Sequence, residues 1–162
     1  MRPQSCKAKG RRFQQALAAD IRRRFQLPEC DVVSTSMGAQ GADVQLSAAA
    51  RACFPFAIEA KNTERPALPA AWRQALSHTH ASSLLPMVCF KGNRYPPVAV
   101  VCERGLEQLG HNETVATHFP RFPLALSEAR RGTPSRFEYS LSKSCKILLF
   151  CVPWDMIVGP TS

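Results

Sequence analysis

Apolar residues recur at helical spacing near the start of the chain. Phe13, Leu17 and Ile21 are four residues apart, alanines lie among them, and Pro28 follows. This spacing predicts an amphipathic helix over residues 9–26 that ends before the proline. Most of the arginines in this segment fall off the apolar stripe, so the predicted helix carries a basic surface.

The next segments alternate polar and apolar residues, which is typical of half-buried strands. A β-branched run over 31–35 and the alternating residues 43–46 predict two short strands, and an alanine-rich connection with one helical turn follows over 47–53. In 54–61 the even-numbered apolar residues share one face, whereas Glu59 and Lys61 share the other.

The middle of the chain predicts a helix, a hairpin and a second helix. Residues 69–80 place Trp72, which we interpret as a core anchor, and Leu76 on one helical face, with Pro69 in the first turn. Apolar runs over 85–90 and 97–102 flank a polar turn, and a short helix is predicted over 103–109. Beyond 111 prolines interrupt the pattern, and only 137–141 and 147–152 are typical of strands. We therefore expect an α/β domain over 1–110 and a C-terminal extension over 111–162 of unassigned role.

Charge is concentrated at the start of the chain. The 21 Lys and Arg outnumber the 12 Asp and Glu by nine, and residues 1–30 hold eight of the basic residues against two acidic ones. Such a cluster favours a polyanion, because neutralising phosphates releases condensed counterions. The alternative is a solvated helix face that only improves solubility.

The chain offers no pattern of a membrane or secreted protein. Residues 1–10 are basic and polar, and the most apolar stretch, 147–158, is interrupted by Pro153 and Asp155. A spanning helix needs about 20 apolar residues. We expect a soluble intracellular protein with no membrane partner, in the cytoplasm or nucleoid of a host cell.

Two carboxylates and a lysine are predicted to converge if the strands over 43–46 and 54–61 are neighbours. Asp43, Gln45, Glu59 and Lys61 would then form one polar patch. Two carboxylates on rigid strands suit Mg²⁺, which takes one or two carboxylates together with water and phosphate oxygens. Such an ion can promote phosphodiester hydrolysis, and Lys61 adds positive charge where the phosphate becomes more negative.

The order Asp43, about fifteen residues, then Glu59-x-Lys61 resembles the motif of the PD-(D/E)xK nuclease superfamily. The surrounding residues resemble phage-type Holliday-junction-resolvase-like endonucleases, over about 7–101 and without the last fifty residues. The segments that carry this resemblance are Lys9-Gly10-Arg11-Arg12-Phe13, Ser34-Thr35-Ser36-Met37-Gly38, Gly41-Ala42-Asp43, Phe56-Ala57-Ile58-Glu59-Ala60-Lys61-Asn62 and Trp72-Arg73-Gln74. It implies a restriction-endonuclease-like αβββαβ core with a central mixed sheet flanked by helices.

The resemblance also implies residue roles. Asp43 and Glu59 would bind Mg²⁺ or Mn²⁺, Lys61 would be the catalytic lysine, and Gln74 would support the site from the second helix. Related enzymes often carry a glutamate on the first helix, where this chain offers Gln14 and Gln15, so we expect Gln14 to be a weaker metal ligand. The basic helix and the loop over 34–41 would grip the DNA backbone through Lys7, Lys9, Arg11, Arg12, Ser34 and Ser36.

The sequence thus predicts a metal-dependent DNA endonuclease acting on structured or branched DNA, with roles in recombination and repair. Resemblance to junction resolvases implies a homodimer that presents two sites to a two-fold substrate. The alternative is a nuclease-fold protein that binds DNA and cleaves it weakly or not at all, because the acidic residue is absent from the first helix. A third interpretation, a basic interaction or virion component, rests on charge and on the unassigned extension.

Overall fold

The chain folds into a seven-stranded mixed sheet flanked by helices on both faces. The computed structural model describes residues 3–35, 41–80, 82–110, 122–140 and 146–159. Within these ranges, no helix combines the length and the apolar character needed to cross a membrane. The expected α/β class is confirmed.

Six helices and seven strands make up the described part of the chain. The helices are α1 Pro3–Phe25, α2 Ala48–Cys53, α3 Leu68–Ser77, α4 Glu103–Gln108, α5 Phe122–Arg130 and α6 Trp154–Val158, and a 3-10 turn covers Glu29–Asp31. The strands are β1 Val32–Ser34, β2 Val44–Leu46, β3 Phe56–Asn62, β4 Leu85–Lys91, β5 Val98–Cys102, β6 Ser135–Ser140 and β7 Lys146–Pro153. Every element expected before residue 111 is present, and α1 begins six residues earlier than its apolar stripe indicated.

The spatial order of the strands is β1-β2-β3-β4-β5-β7-β6. Strands β3 and β4 are parallel, with α3 between them in sequence, and the other neighbours are antiparallel. The expected hairpin of β4 and β5 is confirmed. Strand β7 pairs with β5 over Val98–Cys102, so the described strands of the C-terminal region continue the same sheet.

Each face of the sheet has its own apolar core. On one face α1, α4 and α6 pack with residues such as Leu17, Ile58 and Trp154. On the other face α3 and α5 pack with residues such as Trp72 and Phe137. Because α3 covers β3 and β4, the central strands are buried on both faces, as is usual where strands pair in parallel. This burial decides the surroundings of the polar residues on β3.

Candidate functional site

The carboxylate of Asp43 lies where β2 and β3 separate. The Asp43 backbone N–H donates to the Ile58 carbonyl at 2.9 Å, and Val44 pairs with Ile58 in the adjacent register position. Beyond this point the Ala60 N–H has no partner strand on that side, and it donates to Asp43 Oδ2 at 2.7 Å. A side-chain oxygen thus replaces a main-chain acceptor, which fixes the carboxylate in the plane of the sheet.

Gln14 reaches Asp43 from α1. Its Nε2 donates to Asp43 Oδ1 at 2.6 Å, while its Oε1 is buried and has no hydrogen-bond partner within the described part of the chain. A buried acceptor without a partner is costly, because it has lost its water. The unpaired Gln14 Oε1 is therefore an oxygen donor available to a ligand beside Asp43.

Glu59 and Lys61 form an ion pair on the face of β3 that α3 covers. Strand geometry places residues i and i+2 on one face, and Lys61 Nζ lies 2.5 Å from Glu59 Oε1. The Glu59 side chain is 6% exposed and that of Lys61 is 35% exposed. The sequence predicts that both groups belong to one polar patch on the face of β3 opposite its apolar residues. Glu59 is instead buried on that face, because α3 packs over β3.

His78 also contacts Glu59, and the sequence analysis did not assign it to the site. His78 Nε2 lies 3.3 Å from Glu59 Oε2, and its side chain is 19% exposed. The residue follows the last turn of α3. His78 lies one helical turn after Gln74, the residue that the sequence analysis assigned to the site. The expected end of the helix was therefore correct, but the residue chosen there was not.

Among the described residues, none forms a hydrogen bond with the side chain of Gln74, so Gln74 is not connected to this cluster. Its side chain is exposed, whereas Ala71, Trp72 and Ala75 form the buried face of α3. Its carbonyl oxygen accepts hydrogen bonds from the helix end that leads to His78. The position expected to support the site therefore lies one turn too early, and His78 makes the contact with Glu59. Trp72 is buried, which confirms it as a core residue.

Burial and neighbouring charges both act on the carboxyl group of Asp43. Burial is the largest influence on Asp43 and raises the pKa of its carboxyl above the ordinary value. The Ala60 N–H lowers this pKa, the charge of Glu59 raises it, and the positive charges of Lys61 and His78 lower it. Asp43, Glu59, Lys61 and His78 therefore share one electrostatic environment.

The residues expected to contact DNA are distributed around α1 and β1. Lys7, Arg11 and Arg12 are exposed, and Lys9 is half-buried with its Nζ 3.1 Å from Asn93 Oδ1. The spacing of Lys7 and Arg11 from Gln14, at seven and three residues, places all three along one stripe of the helix.

Ser34 and Ser36 were expected to contact DNA from a loop over 34–41. Ser34 is instead the last residue of β1, where it is half-buried and pairs with Val44. Ser36 lies outside the described residues.

Asp43 and Gln14 offer oxygen atoms of the kind that hard divalent ions take, and Gln14 Oε1 is a buried acceptor with no partner among the described residues. Both carboxylate oxygens of Glu59 are in contact with other side chains, one with Lys61 and one with His78. Across the described ranges no group of three or more His, Cys, Asp and Glu side chains could hold a metal. Mg²⁺ needs no such group, since it is commonly bound by one or two carboxylates with waters and phosphate oxygens.

Comparison of the chain with protein-family models, with curated proteins and with solved structures found no match.

Proposed function

We propose that the protein is a Mg²⁺- or Mn²⁺-dependent DNA endonuclease with a PD-(D/E)xK site. The observation that supports this most is the convergence of Asp43 and the Glu59–Lys61 pair at the separation of two neighbouring strands. Apart from the short helix α2 between β2 and β3, the element order α1, β1, β2, β3, α3, β4 is compatible with the restriction-endonuclease-like core that the resemblance implies. The function remains our inference from these residues.

The chain's own groups have separate roles in the proposed reaction. Asp43, Glu59 and Gln14 would hold the metal through their oxygens. A bound divalent ion polarises the phosphate and lowers the pKa of water. Lys61, one-third exposed and anchored by Glu59, is placed to offset the negative charge that develops on the phosphate or to orient the attacking water.

The substrate would approach along α1. Lys7 and Arg11 are exposed on the stripe that leads to Gln14, so a DNA backbone lying on this stripe ends at the carboxylates. Backbone contacts of this kind position DNA without reading its sequence. From the resemblance to junction resolvases we propose structured or branched DNA as the substrate and a homodimer as the active form, in a soluble intracellular protein.

A cleavage assay tests this proposal. Supercoiled plasmid and a four-way junction are incubated with the full chain in Mg²⁺, in Mn²⁺ and in chelator. We expect metal-dependent cutting that falls at least about a hundredfold in Asp43→Asn and Lys61→Ala, because each removes a group that acts on the reacting phosphate. Glu107→Gln and Arg104→Ala, which change exposed charges on α4, are matched controls that should cut normally. Wild-type protein that cuts neither DNA, or Lys61→Ala with undiminished cutting, would overturn the proposal.

One observation favours the second candidate, a DNA-binding protein that does not cleave. Gln14 Nε2 donates to Asp43 Oδ1, where related enzymes often place a glutamate, so an N–H occupies a carboxylate oxygen. Gln14→Glu separates the two candidates. A large gain of cleavage indicates a slow enzyme, whereas DNA binding without cleavage in both forms indicates a binding protein.

A further inference from the structure

A cavity of about 300 Å³ lies beside the Glu59–Lys61 pair, on the side of β2 and β3 that faces α3. The residues that line it include Gln45, Arg51, Ala57, His78, Ser82 and Leu84.

The cavity adjoins the proposed catalytic groups. His78 lines it and also contacts Glu59 Oε2 at 3.3 Å. Ala57 lines it from β3 and is two residues from Glu59 on the same face, a separation of about 7 Å along a strand. A ligand in the cavity would therefore lie next to a phosphate bound at the carboxylates.

We propose that this cavity binds the nucleotide next to the scissile phosphate of the DNA strand. The inference rests on the proposed nuclease function, to which it adds a subsite.

Arg51 supplies the phosphate-binding group. Its Nε donates to the Leu46 carbonyl at 2.9 Å, which holds the guanidinium at the cavity. Within the described ranges, no hydrogen bond or ion pair occupies its two terminal nitrogens. A fixed guanidinium with free donors suits a phosphate, which it can bind through two parallel hydrogen bonds. None of the cavity-lining residues in the described chain is acidic, so no internal carboxylate competes for Arg51.

The remaining surface suits a ring rather than a bare anion. Ala57 and Leu84 are apolar, and Gln45 and Ser82 carry hydrogen-bonding groups. The volume is at the lower end of pockets that hold small ligands and is more than a phosphate alone requires. Apolar walls with a few polar groups are typical of pockets that accept an unstacked base.

The subsite also bears on the class of DNA. A nucleotide inside a duplex must unstack before it can enter a pocket, whereas an unpaired nucleotide has a smaller cost. The cavity therefore favours a strand with an unpaired nucleotide at the cleavage position, as occurs at branch points and ends.

Binding of thymidine 5′-monophosphate to the metal-free full chain tests the subsite without using cleavage. Titration is followed by backbone amide shifts, with thymidine and inorganic phosphate as separate probes. We expect the monophosphate to shift the amides of His78 and Ser82 and to bind more tightly than either probe. Arg51→Ala should weaken it by roughly tenfold, the loss expected for a hydrogen bond to a charged group.

Two further variants keep the test decisive. Gln45→Glu changes an exposed strand residue and places a negative charge in the cavity, so it should also weaken binding. Arg73→Ala removes an exposed arginine of α3 that does not line the cavity, and it should have no effect. In the cleavage assay, Arg51→Ala should raise KM more than it lowers kcat.

The outcomes distinguish the subsite from the function. Equal affinity for inorganic phosphate and the monophosphate, or binding unchanged by Arg51→Ala and Gln45→Glu, would overturn the subsite even if the protein cuts DNA. Nucleotide binding with the expected variant effects, in a protein that never cuts, would support the subsite and overturn the nuclease function alone.

Discussion

Removing Lys61 should destabilise the protein more than removing the charge of its partner Glu59. Lys61→Met leaves the Glu59 carboxylate, 6% exposed, with His78 as its remaining contact. Losing one partner of a fully buried pair costs about 3–5 kcal/mol, whereas an exposed pair contributes about 0–1 kcal/mol. The Lys61 side chain is 35% exposed, so water can partly replace its ammonium group. We therefore expect a loss of about 2 kcal/mol, or about 4–8 °C in Tm for a chain of this size.

Glu59→Gln should change the stability of the protein much less than Lys61→Met. The amide is close in shape to the carboxylate, carries no charge to be buried, and no longer repels Asp43. We expect its free energy of unfolding to lie within about 0.5 kcal/mol of the wild type. In the double variant with Glu59→Gln, Lys61→Met no longer leaves a buried carboxylate without its partner. The double variant should therefore be more stable than Lys61→Met alone by about 1–2 kcal/mol.

Urea unfolding in metal-free buffer measures all four members of this cycle. Lys7→Met, which removes an exposed lysine of α1, is the control and should change stability by less than about 0.5 kcal/mol. The slope of the unfolding curve should be unchanged, so that midpoints can be compared. A Lys61→Met loss no larger than the Lys7→Met loss, or strict additivity in the double variant, would refute a buried, coupled pair.

Three other predictions follow from the same geometry. Burial raises the pKa of Asp43 in the folded state above its ordinary value of 3.8. The folded protein therefore gains stability from the protonated carboxyl at low pH, and this stability is lost as the pH rises through the pKa of the folded state. Asp43→Asn should abolish that contribution, so its stability relative to wild type should increase from about pH 4 to about pH 7 in urea midpoints with chelator; a constant difference would contradict burial. His78→Ala removes a contact of a buried carboxylate and should lower the free energy of unfolding by about 1–3 kcal/mol, with partial recovery in His78→Gln, measured by the same method; equal losses in both variants would contradict a polar contact. Lys7→Ala with Arg11→Ala should weaken DNA binding and reduce the slope of log K against log salt by about 2, whereas the exposed control Arg104→Ala on α4 should leave the slope unchanged; an unchanged slope in the double variant would remove this stripe from the DNA surface.

Local periodicity was sufficient to predict α1 and the strands β2 and β3. The four-residue spacing of Phe13, Leu17 and Ile21 is a property of a short segment, and the structure confirms that these residues are buried. The alternation on β3 predicted a strand correctly, but the strand is buried on both faces rather than half-buried. That β2 and β3 are neighbours was assumed from the sequence, and the structure confirms it by the pairing of Val44 with Ile58.

The surroundings of Glu59 could not be predicted in the same way. Its burial depends on α3 packing over β3, and its contact with His78 depends on where that helix ends. Gln74 and His78 both lie in the segment predicted as the second helix, and only the packing of α3 on β3 shows which of them contacts Glu59. The position of β7 beside β5 could not be predicted from the sequence either, because it requires pairing between residues about fifty positions apart.

The most direct test of the central claim is the anomalous diffraction of manganese in crystals of the wild-type chain grown with Mn²⁺. The account predicts a peak beside the carboxylates of Asp43 and Glu59. It also predicts that the peak is lost in Asp43→Asn crystals. Saturating Mn²⁺ with no peak beside these two side chains, or a peak that persists in Asp43→Asn, would contradict the claim.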